Sequence, residues 1–395
     1  MQTLKAQVAG FHRVEDLKPI LAGAQSPCLT VYFSLNATAT GEANEKNQEL
    51  RWREIIRGIE SKAEQYGAAG RDLVSAIETW DAIRDGISEG GGGGRSIAVF
   101  RSADIFHVAP VTRDLPDRAV LGPNFFIRPL LAGLVRDSEF YLLALSEKNP
   151  RLLHCTINSS EEVHLPPGTP TDFNSWLNQA KPDHNDVDNA MTTGVQGSAG
   201  PSALAPKGSD REKKDQYLAH YFKQLDNGVN QVLKGKSEPL VICGVEYELP
   251  IFRDINRYPH LIPEEVRGAP NSLKSGEMHA RAIAALERWY ATKLDQALAE
   301  WNHRVGGGAS SRLKEVVTAS FEGRILTLLI SDSEEKIGVY DEQTHSVKAK
   351  ETGSASDEEI LNEAAIQTIL HAGKVLVVPH HKMPNGSPAA AIFRY

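Results

Sequence analysis

Apolar and polar positions repeat with two different periods along this chain, and the switches between them mark out its elements. The run Pro27-Cys28-Leu29-Thr30-Val31-Tyr32-Phe33-Ser34 is β-branched and aromatic with no polar face, which predicts a buried strand. Over residues 44–66 the pattern changes: Leu50, Ile55, Ile56 and Ile59 recur at helical spacing among charges, and a second amphipathic stretch covers 73–87. Residues 90–94 are all glycine and precede the strand-like run 96–100. A phosphate loop follows a strand, opens a helix and carries Gly-Lys-Ser/Thr, so this inverted order without a lysine predicts a plain connector. Residues 104–108 supply a hairpin partner, and Ile127-Arg128-Pro129-Leu130-Leu131 starts a short helix.

The pattern resets at Glu139. Runs 140–145 and 151–157 predict a hairpin closed by residues 146–150. Residues 166–209 are polar and irregular, with a centre rich in Gly, Ser and Ala, and are expected to pack poorly; so long a loop in a compact domain is functional or disordered. Residues 210–233 then place Tyr217, Leu218, Tyr221, Phe222, Leu225, Val229 and Val232 on one helical stripe. The apolar run 240–245 predicts a strand covered on both faces, and the proline-rich stretch 250–270 carries no assigned element. A long helix over 275–303 is stopped by three glycines at 306–308. Helix 313–321, strand 325–330, a polar hairpin over 337–350, helix 356–371, and strands 374–378 and 389–395 complete the pattern. The expected cap of helix 356–371 is Ser356, with Glu359 closing the box and Gly373 past the end. Alternation of helix and strand predicts a small α/β/α sandwich here. The fold class is α/β (α+β), in three domains over 1–137, 138–278 and 279–395, each a small mixed sheet with packed helices.

Composition narrows the function classes. With 51 acidic against 43 basic residues the net charge is −8, so any RNA contact must be local, through a loop or one face. The first residues are charged and lack an apolar core region, which predicts no signal peptide, and no apolar run is long enough to span a membrane. The three cysteines, Cys28, Cys155 and Cys243, sit far apart in apolar runs and are expected to be buried thiols of a cytoplasmic protein. His184, His279, His303, His371, His380 and His381 share no ligand spacing, so neither a metal nor a cofactor is expected.

Several landmarks resemble, in order, the archaeo-eukaryotic class-1 release factors and their bacterial relatives, the bacterial archaeo-eukaryotic release factor families. The stretch Gly197-Ser198-Ala199-Gly200-Pro201-Ser202-Ala203-Leu204, followed by a charged helix, is similar to that family's GRGGQSAL loop. Leu240-Val241-Ile242-Cys243-Gly244 stands where the family has a strand after that helix, and Ala390-Ala391-Ile392-Phe393-Arg394-Tyr395 resembles the strand closing its third domain. Arg128-Pro129-Leu130-Leu131 and Gly244-Val245-Glu246-Tyr247-Glu248-Leu249-Pro250 look like its bacterial members. The resemblance implies a release-factor-like architecture, a ribosome or tRNA partner, and a translational GTPase partner. No match exists to the stop-codon-reading motifs, so codon reading is not implied.

In the family's active members two glycines and a glutamine enter the peptidyl-transferase centre. The glycines allow close backbone approach, and the glutamine amide helps hold the developing charge. Here those positions of the loop 190–210 read Ala199, Gly200 and Pro201, between Gly197 and Ser202. Proline has no N–H to donate, which implies lost hydrolase activity unless a shifted register presents Gln196. Behind the loop Lys207, Arg211, Lys213 and Lys214 form a basic cluster suited to phosphates, interleaved with Asp210, Glu212 and Asp215 that would equally pair with it along a helix start. The loop also reads as a solvated surface segment without a role. A different class of function, an enzyme or small-molecule binder, would use a cleft near Glu246 and Asp254, where Glu248 and Arg253 also follow the central strand.

Overall fold

The computed structural model describes residues 6–11, 13–35, 42–77, 80, 83–84, 94–136, 139–157, 159–180, 210–341, 346–349 and 358–395. It is a mixed α/β protein with a separate main sheet in each third of the chain.

The first segment holds β1 (Gln7–Val8), α1 (Lys18–Ala22), β2 (Cys28–Ser34), α2 (Glu42–Gln65), α3 (Gly67–Ser75), β3 (Ser96–Arg101), β4 (Phe106–Val111), β5 (Arg118–Gly122) and α4 (Arg128–Arg136). Its sheet runs β1-β4-β3-β2-β5, antiparallel except for the β1–β4 pair. Successive residues of a strand point to opposite faces, and here both faces are covered. Leu29, Val31 and Phe33 meet Trp52, Ile56 and Leu73 in one core, while Cys28 and Tyr32 face another. The unbroken apolar run of β2 follows from that double burial. The second helix starts earlier than its pattern suggested, at Gly67, and Leu73 and Val74 at its end are the core contacts. The glycine connector, 90–93, lies outside the described residues.

The middle segment holds β6 (Phe140–Ala144), β7 (Arg151–Cys155), β8 (Ser160–Val163), α5 (Phe173–Ala180), α6 (Asp210–Val232), β9 (Leu240–Gly244), α7 (Glu248–Ile255), β10 (Leu261–Arg267) and α8 (Ser275–Arg304). Sheet order is β10-β9-β6-β7-β8, with β6, β9 and β10 parallel and the β6–β7–β8 meander antiparallel. Helices α5, α6 and α7 cover one face through Phe173, Leu218, Tyr221, Phe222, Leu225, Leu249 and Phe252. Two corrections arise here. Helix α5 forms within the stretch expected to be irregular, and α7 and β10 form within the proline-rich one. Pro250 is the third residue of α7, where an N–H has no partner inside the helix. Pro263 sits on the edge strand β10 between Leu261 and Glu265, where the pairing register shifts.

The last segment holds β11 (Ala309–Ser310), α9 (Leu313–Phe321), β12 (Ile325–Ser331), β13 (Ile337–Asp341), β14 (Ser346–Ala349), β15 (Glu358–Glu359), α10 (Ile360–Leu370), β16 (Lys374–Val378) and β17 (Ala389–Phe393). Its sheet is β11-β17-β12-β16, with a smaller sheet β14-β13-β15 beside it. Helices α9 and α10 cover one face, and Trp301 and Leu298 of α8 the other, giving the expected sandwich. The cap of α10 is Glu359, whose carboxylate accepts from the Leu361 and Asn362 amides at 3.3 and 2.7 Å; Ser356 lies outside the described residues. At the other end Ala372, not Gly373, takes the left-handed turn, with φ 57°. Gly373 is needed for space: a Cβ there would stand 2.7 Å from Thr368 Cγ2 and 2.8 Å from the Ile325 carbonyl.

The chain forms two compact units, residues 1–138 with 290–395, and residues 139–289. The first and last sheets each keep their own segment, but Tyr32, Phe125 and Leu130 share one core with Val316, Leu361 and Ile366. A polar seam runs through it. Asn362 accepts from the amides of Ile127 and Arg128 at 2.8 and 3.3 Å, and donates to the Phe125 carbonyl at 2.9 Å. Arg128 reaches the Ser331 carbonyl at 2.8 Å and Glu359 at 3.0 Å. Removing a buried partner leaves the remaining groups unsatisfied. Asn362→Ala should therefore lower the unfolding free energy by about 2–4 kcal/mol. Urea unfolding followed by circular dichroism checks this; a loss under about 1 kcal/mol would mean that apolar contacts alone hold the seam.

Candidate functional site

Parallel strands β6 and β9 end side by side, tied by the bond from the Leu145 amide to the Cys243 carbonyl at 2.7 Å. Two turns leave this carboxyl edge, the usual place for functional groups in parallel sheets. One, residues 146–150, leads to β7; the other, residues 245–247, leads into α7. The start of α6 lies over both. Lys214, one turn into that helix, places its ammonium 2.7 Å from Glu147 Oε1 and 5.7 Å from the centre of the Tyr247 ring. The Tyr247 hydroxyl donates to the same carboxylate oxygen at 2.8 Å. Tyr221, on the buried side of α6, donates to the Ser146 carbonyl at 3.3 Å. The Ser146 hydroxyl accepts from Asn271 Nδ2 and the Lys148 amide at 2.9 and 3.0 Å. The helix that follows residues 181–209 is thus tied to the sheet by an ion pair and hydrogen bonds.

Glu248, the first residue of α7, is only 3% exposed, and its Oε2 has no hydrogen-bond partner. Its carboxyl is pushed up to about 7, first by burial and then by the charge of Glu147, against the pull of the Val245 amide, Lys214 and Tyr247. Burial also pushes Glu147 up, but bonds from Lys214 and Tyr247 and the lysine charge outweigh it and hold it below the usual carboxylate range. Two carboxyl groups of one cluster are thereby driven apart, one held below the usual carboxylate range and the other titrating near neutrality. Gly244 fits because a Cβ there would press on Leu145 and Leu249, at 3.2 and 3.3 Å.

The residues expected from sequence fare unevenly. Gln196, Gly197, Ala199, Gly200, Pro201, Ser202 and Lys207 lie outside the described residues; Arg211 and Lys213 fall in the first turn of α6, with side chains outside the described part. Lys214 is bound to Glu147 rather than standing as a lone cation. Glu246 is exposed and 3.6 Å from Arg267, Asp254 is exposed, and Arg253 ties α7 to β10 through the Ile262 and Pro263 carbonyls at 2.9 Å each. The carboxylate of that stretch that is buried is Glu248. Its signal was its position four residues before Phe252 on one helical stripe, hidden because Pro250 masked the helix. All three cysteines are buried thiols. Among the described residues no group of three or more His, Cys, Asp or Glu could hold a metal ion, and no helix is long and apolar enough to cross a membrane.

Residues 139–324, which contain this whole cluster, match the model of the bacterial archaeo-eukaryotic release factor family 3. This part of the chain is similar to that family. The matched region takes in the whole second unit and continues through the rest of α8 and through α9. A search of the curated proteins finds no match. Among solved structures, S. cerevisiae Dom34, described as a translation termination-like factor in RNA quality control that interacts with Hbs1, is 13% identical. It covers 76% of this chain and 75% of its own, with a TM-score of 0.36. An archaeal Pelota, from a ribosome-bound assembly with ABCE1, is 14% identical over 73% of this chain and 72% of its own, with a TM-score of 0.40. The archaeal termination factor aRF1 is 13% identical over 98% and 99%, with a TM-score of 0.21. Likenesses this low carry no functional weight.

The raised carboxyl of Glu248 has a stability consequence with a definite sign. A carboxyl whose folded pKa exceeds its unfolded value near 4.5 gives stability that is complete below that value and lost as pH rises through about 7. Glu248→Gln should therefore leave stability at pH 5 almost unchanged, and raise it at pH 8 by about 1–3 kcal/mol relative to the parent protein. Thermal melts at both pH values check it; equal shifts at the two would show that Glu248 is charged throughout.

Proposed function

We propose that the protein is a release-factor-like factor of translation or ribosome rescue that docks on the ribosome or tRNA in the cytoplasm and lacks peptidyl-tRNA hydrolase activity. The observation that carries this reading is the release-factor family region at residues 139–324, which brackets the Ala199-Gly200-Pro201 loop. The loss of hydrolysis rests on the residues themselves. Proline at position 201 removes the backbone N–H at the point where the family places its catalytic glutamine, and with it a donor aimed at the developing charge. Binding does not need that donor. A translational GTPase partner belongs to the same reading, by family resemblance.

With a net charge of −8, RNA affinity has to come from few cations. Lys207, Arg211, Lys213 and Lys214 stand in sequence around the start of α6, and Lys214 keeps half of its side chain in solvent while paired to Glu147. Neutralising all four should weaken co-sedimentation with 70S ribosomes. The log–log salt slope should flatten by roughly 1.5–3, at about 0.7 for each of the two to four phosphates no longer neutralised. The melting temperature should move little, because an exposed ion pair contributes only ~0–1 kcal/mol. Ribosome pelleting across a salt series, with melts in parallel, tests both; unchanged pelleting with a lowered melting temperature would make these residues structural and defeat the reading.

A further inference from the structure

The geometry points to Glu147 and Glu248 as a proton-holding carboxyl pair that sets the charge presented to RNA phosphate at the start of α6. This rests on the reading that the protein docks on RNA there. The ground is the disposition of charge around Glu248. Facing it are Glu147 from the turn after β6, Lys214 and Tyr221 from α6, and its own neighbour Tyr247. Lys214 is the cation among them, and its ammonium is 2.7 Å from Glu147. The 3% exposed Glu248 carboxyl therefore has an unpartnered oxygen and a negative neighbour. A buried carboxyl in that position keeps its proton, since charging it there costs far more than in water.

With Glu248 neutral the cluster sums to zero, one lysine against one carboxylate. Loss of the proton makes it −1, beside the half-exposed ammonium on which a phosphate would sit. One added unit charge at ~7 Å, in a medium of effective dielectric ~40–80, weakens phosphate binding roughly three- to sevenfold. Acid pH thus favours docking and alkaline pH opposes it, through a side chain that never touches the RNA. Burial of Glu248, which is 3% exposed, keeps it out of reach of solvent ions that would screen an exposed pair.

The test is binding of 70S ribosomes at fixed ionic strength between about pH 6 and about pH 8, for the parent protein, Glu248→Gln and Glu147→Gln. Affinity of the parent should fall roughly two- to fourfold over this range, where Glu248 is only partly ionised at either end. Glu248→Gln should hold the acid-side affinity throughout, relative to whatever pH dependence the ribosome itself contributes. Glu147→Gln should move the midpoint of the fall to lower pH, because it removes the charge that opposes ionisation of Glu248. Equal pH dependence in the parent and Glu248→Gln overturns the inference while leaving ribosome docking intact. Absence of binding at every pH overturns the docking reading as well, so the two failures are distinguishable.

Discussion

One buried amide, Asn362, holds together residues more than two hundred positions apart in sequence. The start of α4 has backbone N–H groups with no partner inside the helix. The side chain that accepts from two such amides there comes from α10, in the last segment of the chain. Because Asn362 also donates to the Phe125 carbonyl, it fixes that turn in a single register. The apolar contacts around it are strong but not directional; the amide, with Arg128 and Glu359 beside it, decides how they align. The first and last segments form one compact unit around a shared apolar core, and residues 139–289 form another with a core of their own.

The carboxyl edge of the second unit follows the opposite logic. At the seam the Asn362 amide uses both its oxygen and its nitrogen. At the edge Glu147 takes both Lys214 and Tyr247, and Glu248 is left buried with an unpartnered oxygen. A buried polar group left without its partner calls for an account beyond stability. Its place is the junction where β9 turns into α7, opposite the helix that residues 181–209 lead into. Local order there is bought with a carboxyl that is comfortable only while it holds a proton.

Much of the fold was legible because its elements are strongly periodic. Strands β2, β6, β9 and β12 and helices α6, α8 and α9 fall where their apolar runs and stripes placed them, since both depend on local spacing alone. Prolines concealed α7 and β10, because position decides whether a proline breaks an element. Pro250 occupies a first helical turn and Pro263 an edge strand, where neither removes a needed bond. Helix α5 was hidden by polar neighbours, although Phe173 and Trp176 pack against Tyr221 and supply the stabilisation that propensity lacked. The roles of Asn362 and Glu147 had no local signal: each depends on a partner from a distant element. For the site, sequence located the start of α6, Lys214 and Glu248, but not Glu147, which binds the lysine.

The central claim is docking without hydrolysis, and a single-turnover release assay on ribosomes loaded with peptidyl-tRNA tests it most directly when the same sample is scored for bound protein. Bound protein with peptide release at the uncatalysed rate is the expected result, with no gain or loss of release in Gln196→Ala. Release well above that rate, abolished by Gln196→Ala, would contradict it by showing that a shifted register restores the catalytic amide.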